Sequence, residues 1–153
     1  MAETVVCVGG LVYRGNQILL ARQSEGHPLQ GQWTIPWGRL DKGESPMRAA
    51  LRETFEEAGI TAEIEGFLGV QELPSPWAGW IGLIYLGRHL SGSPEPQDRE
   101  MDAAKYFSVE ELTGLIEPVE PLSAWLAERF FKKDLTVLPM NQGNPLQSMG
   151  SFL

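Results

Sequence analysis

Apolar runs and polar breaks divide the chain into short elements. Residues 4–13 are rich in valine and predict a strand. Residues 17–22 (QILLAR) predict a second, and Arg14-Gly15-Asn16 between them makes the pair a hairpin. Residues 23–32 form a loop with Gly26, Pro28 and Gly31. A short extended piece at residues 33–36 follows, then a loop at 38–44 punctuated by Gly38 and Gly43.

The clearest helix comes next. Ser45 suits the N-cap, Pro46 the first helical position and Gly59 the stop. At about 100° per residue, Met47, Ala50, Leu51, Thr54 and Ala58 share one stripe, the predicted buried face. Residues 61–73 predict a strand with a break at Gly66, and Pro74-Ser75-Pro76 a rigid interruption. Residues 77–90 predict a long apolar strand, 91–98 (SGSPEPQD) a polar loop and 103–107 a short strand. Ser108-Val109-Glu110-Glu111 has the pattern of a capping box opening a short helix. Residues 121–133 predict an amphipathic helix with Leu122, Trp125, Leu126 and Phe130 on one side. Residues 1–138 thus read as one domain. Residues 139–153 form a polar tail, either flexible or docked through Met149, Phe152 and Leu153.

A length of 153 residues suits a single domain with a real core. A net charge of −8 argues against nonspecific binding to nucleic-acid polymers or membrane surfaces. No apolar run approaches the roughly 20 residues of a membrane span, and no targeting segment is visible. The lone Cys7 excludes an intramolecular disulfide and fits a reducing compartment. The expected location is the cytoplasm. The negative charge also means that an anionic substrate would need bound cations.

Glu53, Glu56 and Glu57 lie at i, i+3 and i+4 of the predicted helix, within an arc of about 100° at the edge of its apolar stripe. Unneutralised, they repel one another. Hard oxygen donors in such a group favour Mg²⁺, with Mn²⁺ as the alternative. Spacing alone leaves an ordinary solvated acidic face equally open. His27 and His89 lack a ligand partner at useful spacing and read as structural. Cys7 reads as a small buried hydrophobe, and Trp33, Trp80 and Trp125 as core. Trp37 and Trp77, each beside proline in a predicted loop, are candidates for stacking on a base. Arg39, Arg22 and Lys42 are candidates for phosphate.

Gly38, five residues, Glu44, seven residues, Arg52-Glu53, two residues, Glu56-Glu57, one residue, then Gly59-Ile60: this series resembles the Nudix box of the Nudix hydrolases. Every fixed polar and glycine position of that signature is present. Thr54 departs from it where an aliphatic residue is usual, and Trp37 where many members carry glycine. The hairpin, the Trp33-Thr34-Ile35-Pro36 entry, and the late strand followed by Ser108 extend the resemblance to all but the tail. The implied fold is an α/β (α+β) architecture, a Nudix-type α/β/α sandwich with a mixed β-sheet.

The resemblance also implies roles. Glu56 and Glu57, with Glu53 and the Gly38 carbonyl, resemble the family's metal ligands. Arg52 resembles the residue that orients a glutamate, and Glu44 one that braces the loop. The implied reaction is hydrolysis of a phosphoanhydride in a nucleoside diphosphate linked to another group, with an ADP-ribose-like substrate slightly preferred. The general base is Glu53 or a late-loop acid, of which Glu100 is the first candidate and Asp98 and Asp102 are competitors. Pro76, sixteen residues after Ile60, resembles a feature of ADP-ribose pyrophosphatases. A nucleoside triphosphate pyrophosphatase is the alternative, and a non-catalytic nucleotide sensor the third reading. Whether the chain forms a homodimer is left open.

Overall fold

A computed structural model describes residues 4–146 and 150–153. The chain runs β1 (Val6–Arg14), β2 (Gln17–Gln23), β3 (Trp33–Thr34), β4 (Trp37–Arg39), α1 (Pro46–Ala58), β5 (Thr61–Glu72), β6 (Ile81–Ser91) and β7 (Met101–Phe107), followed by α2 (Val109–Thr113), α3 (Pro121–Phe131) and β8 (Leu138–Pro139). The sheet order is β3-β2-β1-β6-β5-β8, with β4 also pairing β1 and β7 also pairing β2. β1 and β6 are parallel, Val8 beside Leu83 and Val12 beside Gly87, and the other pairings are antiparallel. The mixed sheet carries α1 on one face and α2 with α3 on the other, as the family resemblance implies.

Alternation along β1 explains how one strand serves both faces. Val8 and Val12 pack toward α1 with Met47, Ala50, Ala58 and Ile60. Leu11 packs on the opposite side with Trp33, Phe107 and Leu126. Gly10 passes directly beneath α1, where an added Cβ would lie 3.4 Å from the Thr54 hydroxyl. That hydroxyl donates to the Ala50 carbonyl at 2.8 Å, so Thr54 can occupy a buried apolar position without an orphaned group.

Several expectations need correction. Residues 37–39 are not loop: β4 pairs with β1, Trp37 opposite Gly9 and Arg39 opposite Cys7. A three-residue strand has too little pattern to register as a period. Residues 77–80 are not strand: Trp80 N–H donates to the Trp77 carbonyl at 3.0 Å, closing a turn before β6 begins. On α1, Leu51 is only half-buried, whereas Ala49, Glu53 and Glu57 are buried. Trp33 is core, but Trp80 is half-buried and Trp125 is 52% exposed. The buried face of α3 is Ser123, Leu126 and Ala127, and the helix ends at Phe131.

β5 continues through Gly66 as a bulged strand, and the missing side chain there leaves room for Leu138 of β8 and for Val137 just before it. Past β8 the chain folds back. Asn141 N–H donates to the Ser151 carbonyl at 2.7 Å, and the Phe152 ring packs 5.7 Å from Phe67 and 5.6 Å from Tyr85. Leu153 is exposed, and Met149 lies outside the described residues. No helix among the described residues is long and apolar enough to cross a membrane.

Candidate active site

The site is built on α1, whose ends are fixed by local chemistry. Ser45 accepts the Arg48 N–H at 3.2 Å, Pro46 opens the helix, and Gly59 ends it at φ 69°. This rotation sets Glu53 and Glu57 against the sheet rather than in solvent. Glu57 is 1% exposed, and its Oε2 accepts the Trp37 N–H of β4 at 2.9 Å. Glu53 is 7% exposed and its carboxylate lies in the space that a side chain at residue 38 would fill. Glycine at position 38 is therefore a requirement of close approach.

A third carboxylate arrives from the segment between β6 and β7. Oxygens of Glu53, Glu57 and Glu100 all lie within 4.8 Å of one another. That segment is held to the end of α1 by two backbone bonds, Glu95 N–H to the Ala58 carbonyl at 2.9 Å and Gln97 N–H to the Glu56 carbonyl at 2.8 Å. The contact needs two glycines. A Cβ on Gly59 would overlap the Glu95 carbonyl, and one on Gly92 would sit 2.6 Å from the Gly59 carbonyl. Asp98 is used locally, accepting the Glu100 N–H at 3.0 Å. Asp102 is ion-paired with Arg22 at 2.7 Å, outside the trio.

Arg52 binds the remaining acids together. Its Nε and Nη2 make a bidentate pair with Glu44 at 2.8 and 3.0 Å, and Nη1 donates to Glu53 at 2.9 Å and Glu56 at 3.1 Å. Nη2 also reaches the Arg39 carbonyl at 3.1 Å. This pairing holds the Glu44 carboxyl below its ordinary range and strengthens the guanidinium's hold on its proton. Glu56, grouped with Glu53 and Glu57 by spacing, is half-exposed and turned to Arg52.

The electrostatics are severe. Burial pushes Glu53 up to about 7, against the pull of Arg52 and with added repulsion from Glu56 and Glu100. Burial raises Glu57 well above the usual carboxylate range, with Glu53, Glu100 and Asp98 adding to it and the Trp37 N–H opposing. Among the described residues Glu57 has no cationic partner. Buried hard oxygens carrying uncompensated charge fit a divalent cation of the Mg²⁺ type.

Beyond Trp37 lies a cavity of about 510 Å³ whose walls include Trp37, Trp77 and Trp125. Trp37 and Trp77 are thus brought together, as candidates for a base. The Arg39 guanidinium stacks on Trp80 at 4.6 Å while its carbonyl accepts from Arg52, and Lys42 is exposed. Sequence reasoning missed Trp125 as a wall residue because its position fits an apolar stripe. It also missed the depth of Glu53 and Glu57, since a charged residue beside such a stripe reads as its solvated edge.

A family model described as the NUDIX domain matches residues 3–130. An RNA pyrophosphohydrolase of Cereibacter sphaeroides is 32% identical over 120 residues, covering 78% of this chain and 72% of that protein. The NAD-capped RNA hydrolase NudC of Pseudomonas aeruginosa is 32% identical over 105 residues, 69% of this chain, but the match spans only 36% of its own length. A crystal structure of a NUDIX hydrolase from Nitrosomonas europaea superposes with a TM-score of 0.75 at 23% identity, covering 87% of this chain and 73% of that one. The acid trio thus lies within a matched stretch that covers most of the chain, and on that match the chain belongs to the Nudix family.

Proposed function

We propose that this chain is a Mg²⁺-dependent pyrophosphohydrolase of small nucleotides, cleaving a phosphoanhydride in a nucleoside diphosphate derivative of the ADP-ribose kind. The observation that carries this reading is the convergence of Glu53, Glu57 and Glu100 within 4.8 Å, two of them buried, in a chain of this family. Glu53 and Glu57 are the principal metal holders, Glu56 joins them from the outer edge, and Gly38 admits the Glu53 carboxylate. When bound, the metal neutralises phosphate oxygens and lowers the pKa of the attacking water.

Arg52 fixes the Glu53 and Glu56 carboxylates by charge-assisted hydrogen bonds and so orients the donor set. The Trp37 N–H does the same for Glu57. Glu100, exposed and without a cation beside it among the described residues, suits acceptance of the water proton. Glu53 competes for that role, but its Oε1 is already engaged by Arg52. In this reading Arg39 meets phosphate, and Trp37 and Trp77 meet the base.

Both relatives are named for RNA. A net charge of −8 disfavours a polymer body and leaves the small nucleotide as the favoured substrate. The test is a panel of ADP-ribose, nucleotide sugars, dinucleoside polyphosphates and nucleoside triphosphates with Mg²⁺, with every product identified. AMP from ADP-ribose supports the reading. Pyrophosphate from triphosphates alone replaces it with a triphosphate pyrophosphatase, and tight binding without turnover replaces it with a sensor.

A further inference from the structure

We infer that Trp80 is a positioning residue for phosphate binding: its ring holds the Arg39 guanidinium off the metal-binding carboxylates and leaves the guanidinium N–H groups free for a phosphate of the substrate. The inference deepens the hydrolase reading above and rests on its assignment of Arg39 to phosphate. Trp37, Gly38 and Arg39 are consecutive in β4. Trp37 walls the cavity, Gly38 admits the Glu53 carboxylate, and Arg39 projects by alternation from the same side of the strand as Trp37. A nucleotide that reaches from the cavity to the acid trio therefore runs along this strand, within reach of Arg39.

The Arg39 backbone is fixed on both sides. It pairs with Cys7 of β1, and its carbonyl accepts from Arg52 Nη2 at 3.1 Å. Its side-chain torsions are what remains free, and Trp80 restricts them: the guanidinium carbon lies 4.6 Å from the ring centroid. Trp80 is itself held, its N–H donating to the Trp77 carbonyl at 3.0 Å and its carbonyl accepting the Leu73 N–H at 3.2 Å. Leu73 and Trp77 both line the cavity, so the plate beneath Arg39 is carried by the cavity wall.

Arg39 also stands without an acid. Arg22, Arg52, Arg88 and Arg129 are each ion-paired with a carboxylate. Among the described residues Arg39 has no carboxylate partner, although the Glu53 carboxylate lies against Gly38 and the chain carries a net charge of −8. An unstacked guanidinium here would fold onto those acids and compete with the cation they hold. Stacking occupies the face of the guanidinium and leaves its N–H groups, which lie in its plane, free for bidentate contact with phosphate. Trp80 is half-buried and belongs to none of the core clusters, so core packing does not account for its place.

The experiment is calorimetric titration of AMP and of adenosine into the full chain with Mg²⁺ present. AMP carries a phosphate but no anhydride, so binding is read without turnover. AMP should bind the unaltered protein more tightly than adenosine. Trp80→Leu keeps apolar bulk and removes the π-face; it should weaken AMP about fivefold and adenosine by less than about twofold. Trp80→Phe, which restores a face, should bind AMP within about twofold of the unaltered protein. Arg39→Ala should weaken AMP about tenfold, and adding Trp80→Leu to it should weaken AMP no further. Arg39→Lys keeps the charge at an exposed position and loses the planar fork; it should weaken AMP about threefold. With the substrate that the panel identifies, Trp80→Leu should raise KM about fivefold with kcat within about twofold. AMP held no tighter than adenosine, AMP binding unchanged in Trp80→Leu or in Arg39→Lys, equal losses for AMP and adenosine, or an undiminished effect of Trp80→Leu in the Arg39→Ala background overturns the inference. The coupled AMP pattern without turnover of any nucleotide defeats the hydrolase reading alone. Turnover without that coupling defeats the role of Trp80 alone.

Discussion

Replacing Glu57 by glutamine keeps the side-chain volume and removes the charge. The Trp37 N–H retains an acceptor, so the fold should persist, while activity should fall by more than about 100-fold, since groups that merely orient metal ligands already cost 10–100-fold. Melting temperature without metal should stay level or rise, because a buried charge and its repulsion with Glu53 are both gone. Near-normal turnover of Glu57→Gln at limiting Mg²⁺ would refute its role as a ligand. Glu53 and Glu100 separate by pH. If Glu100 is the base, Glu100→Gln should erase the acid limb of the kcat profile and leave the Mg²⁺ requirement unchanged. Glu53→Gln should raise the Mg²⁺ requirement as well as lower the rate. An acid limb that survives in Glu100→Gln transfers the role to Glu53. At this scale the sequence named the chemistry but not its setting. The spacing of Glu53, Glu56 and Glu57 is visible in the string. That the first and third turn inward while Glu56 turns to Arg52 depends on β4, whose three residues left no periodic trace.

The helix and the segment before β7 act as one unit. Because Gly59 and Gly92 meet backbone to backbone, Gly92→Ala should push that segment off the end of α1 and carry Glu100 away from Glu53 and Glu57. Its φ of 99° adds strain for any side chain. The expected result is a loss of kcat of about tenfold or more, with Mg²⁺ affinity at the α1 glutamates little changed. Steady-state kinetics across a Mg²⁺ titration would check it, and a variant with unaltered kcat would show that the coupling is not needed. Elements with strong local signals were readable in advance. Ser45, Pro46 and Gly59 fix α1, and Ser108 with Glu111 forms the capping box of α2, both bonds present. The turn at residues 77–80 was not readable, because its two tryptophans carry the composition of a strand while the preceding proline-rich break sets the backbone. Likewise Trp125 fits the helical stripe of α3, but the tighter packing of Ser123 and Ala127 rotates that helix and leaves the ring outside.

Across the whole molecule, the two buried glutamates tie stability to pH. Their folded-state pKa values lie above the ordinary value near 4.3, Glu53 at about 7 and Glu57 also well above the usual carboxylate range, both raised chiefly by burial. Between these limits the folded chain holds more protons than the unfolded one, so stability falls as pH rises. Glu44, held low by Arg52, has finished titrating below this range, and His89, lowered by burial, contributes with the opposite sign below its ordinary value of about 6.5. Metal-free protein should therefore melt at a higher temperature at pH 5.5 than at pH 8. The slope should shrink in Glu57→Gln and flatten with saturating Mg²⁺, which also releases protons on binding. Calorimetric scans at the two pH values would check this, and a rising slope in metal-free protein would contradict the burial of these charges. The pairing of β1 with β6 carries a consequence of another kind. It joins Val6 to Ile81 and Tyr13 to Arg88, closing a chain loop that contains β4 and all of α1. Contacts of such long sequence separation form slowly. The burial of Glu53 and Glu57 and the repulsion that Glu100 adds to them cannot be felt until that loop closes and the segment before β7 docks, late in folding. Ions that relieve the repulsion should then leave the refolding rate almost unchanged and slow unfolding, so that the protein's metal dependence is written in its lifetime once folded and not in the time it takes to fold.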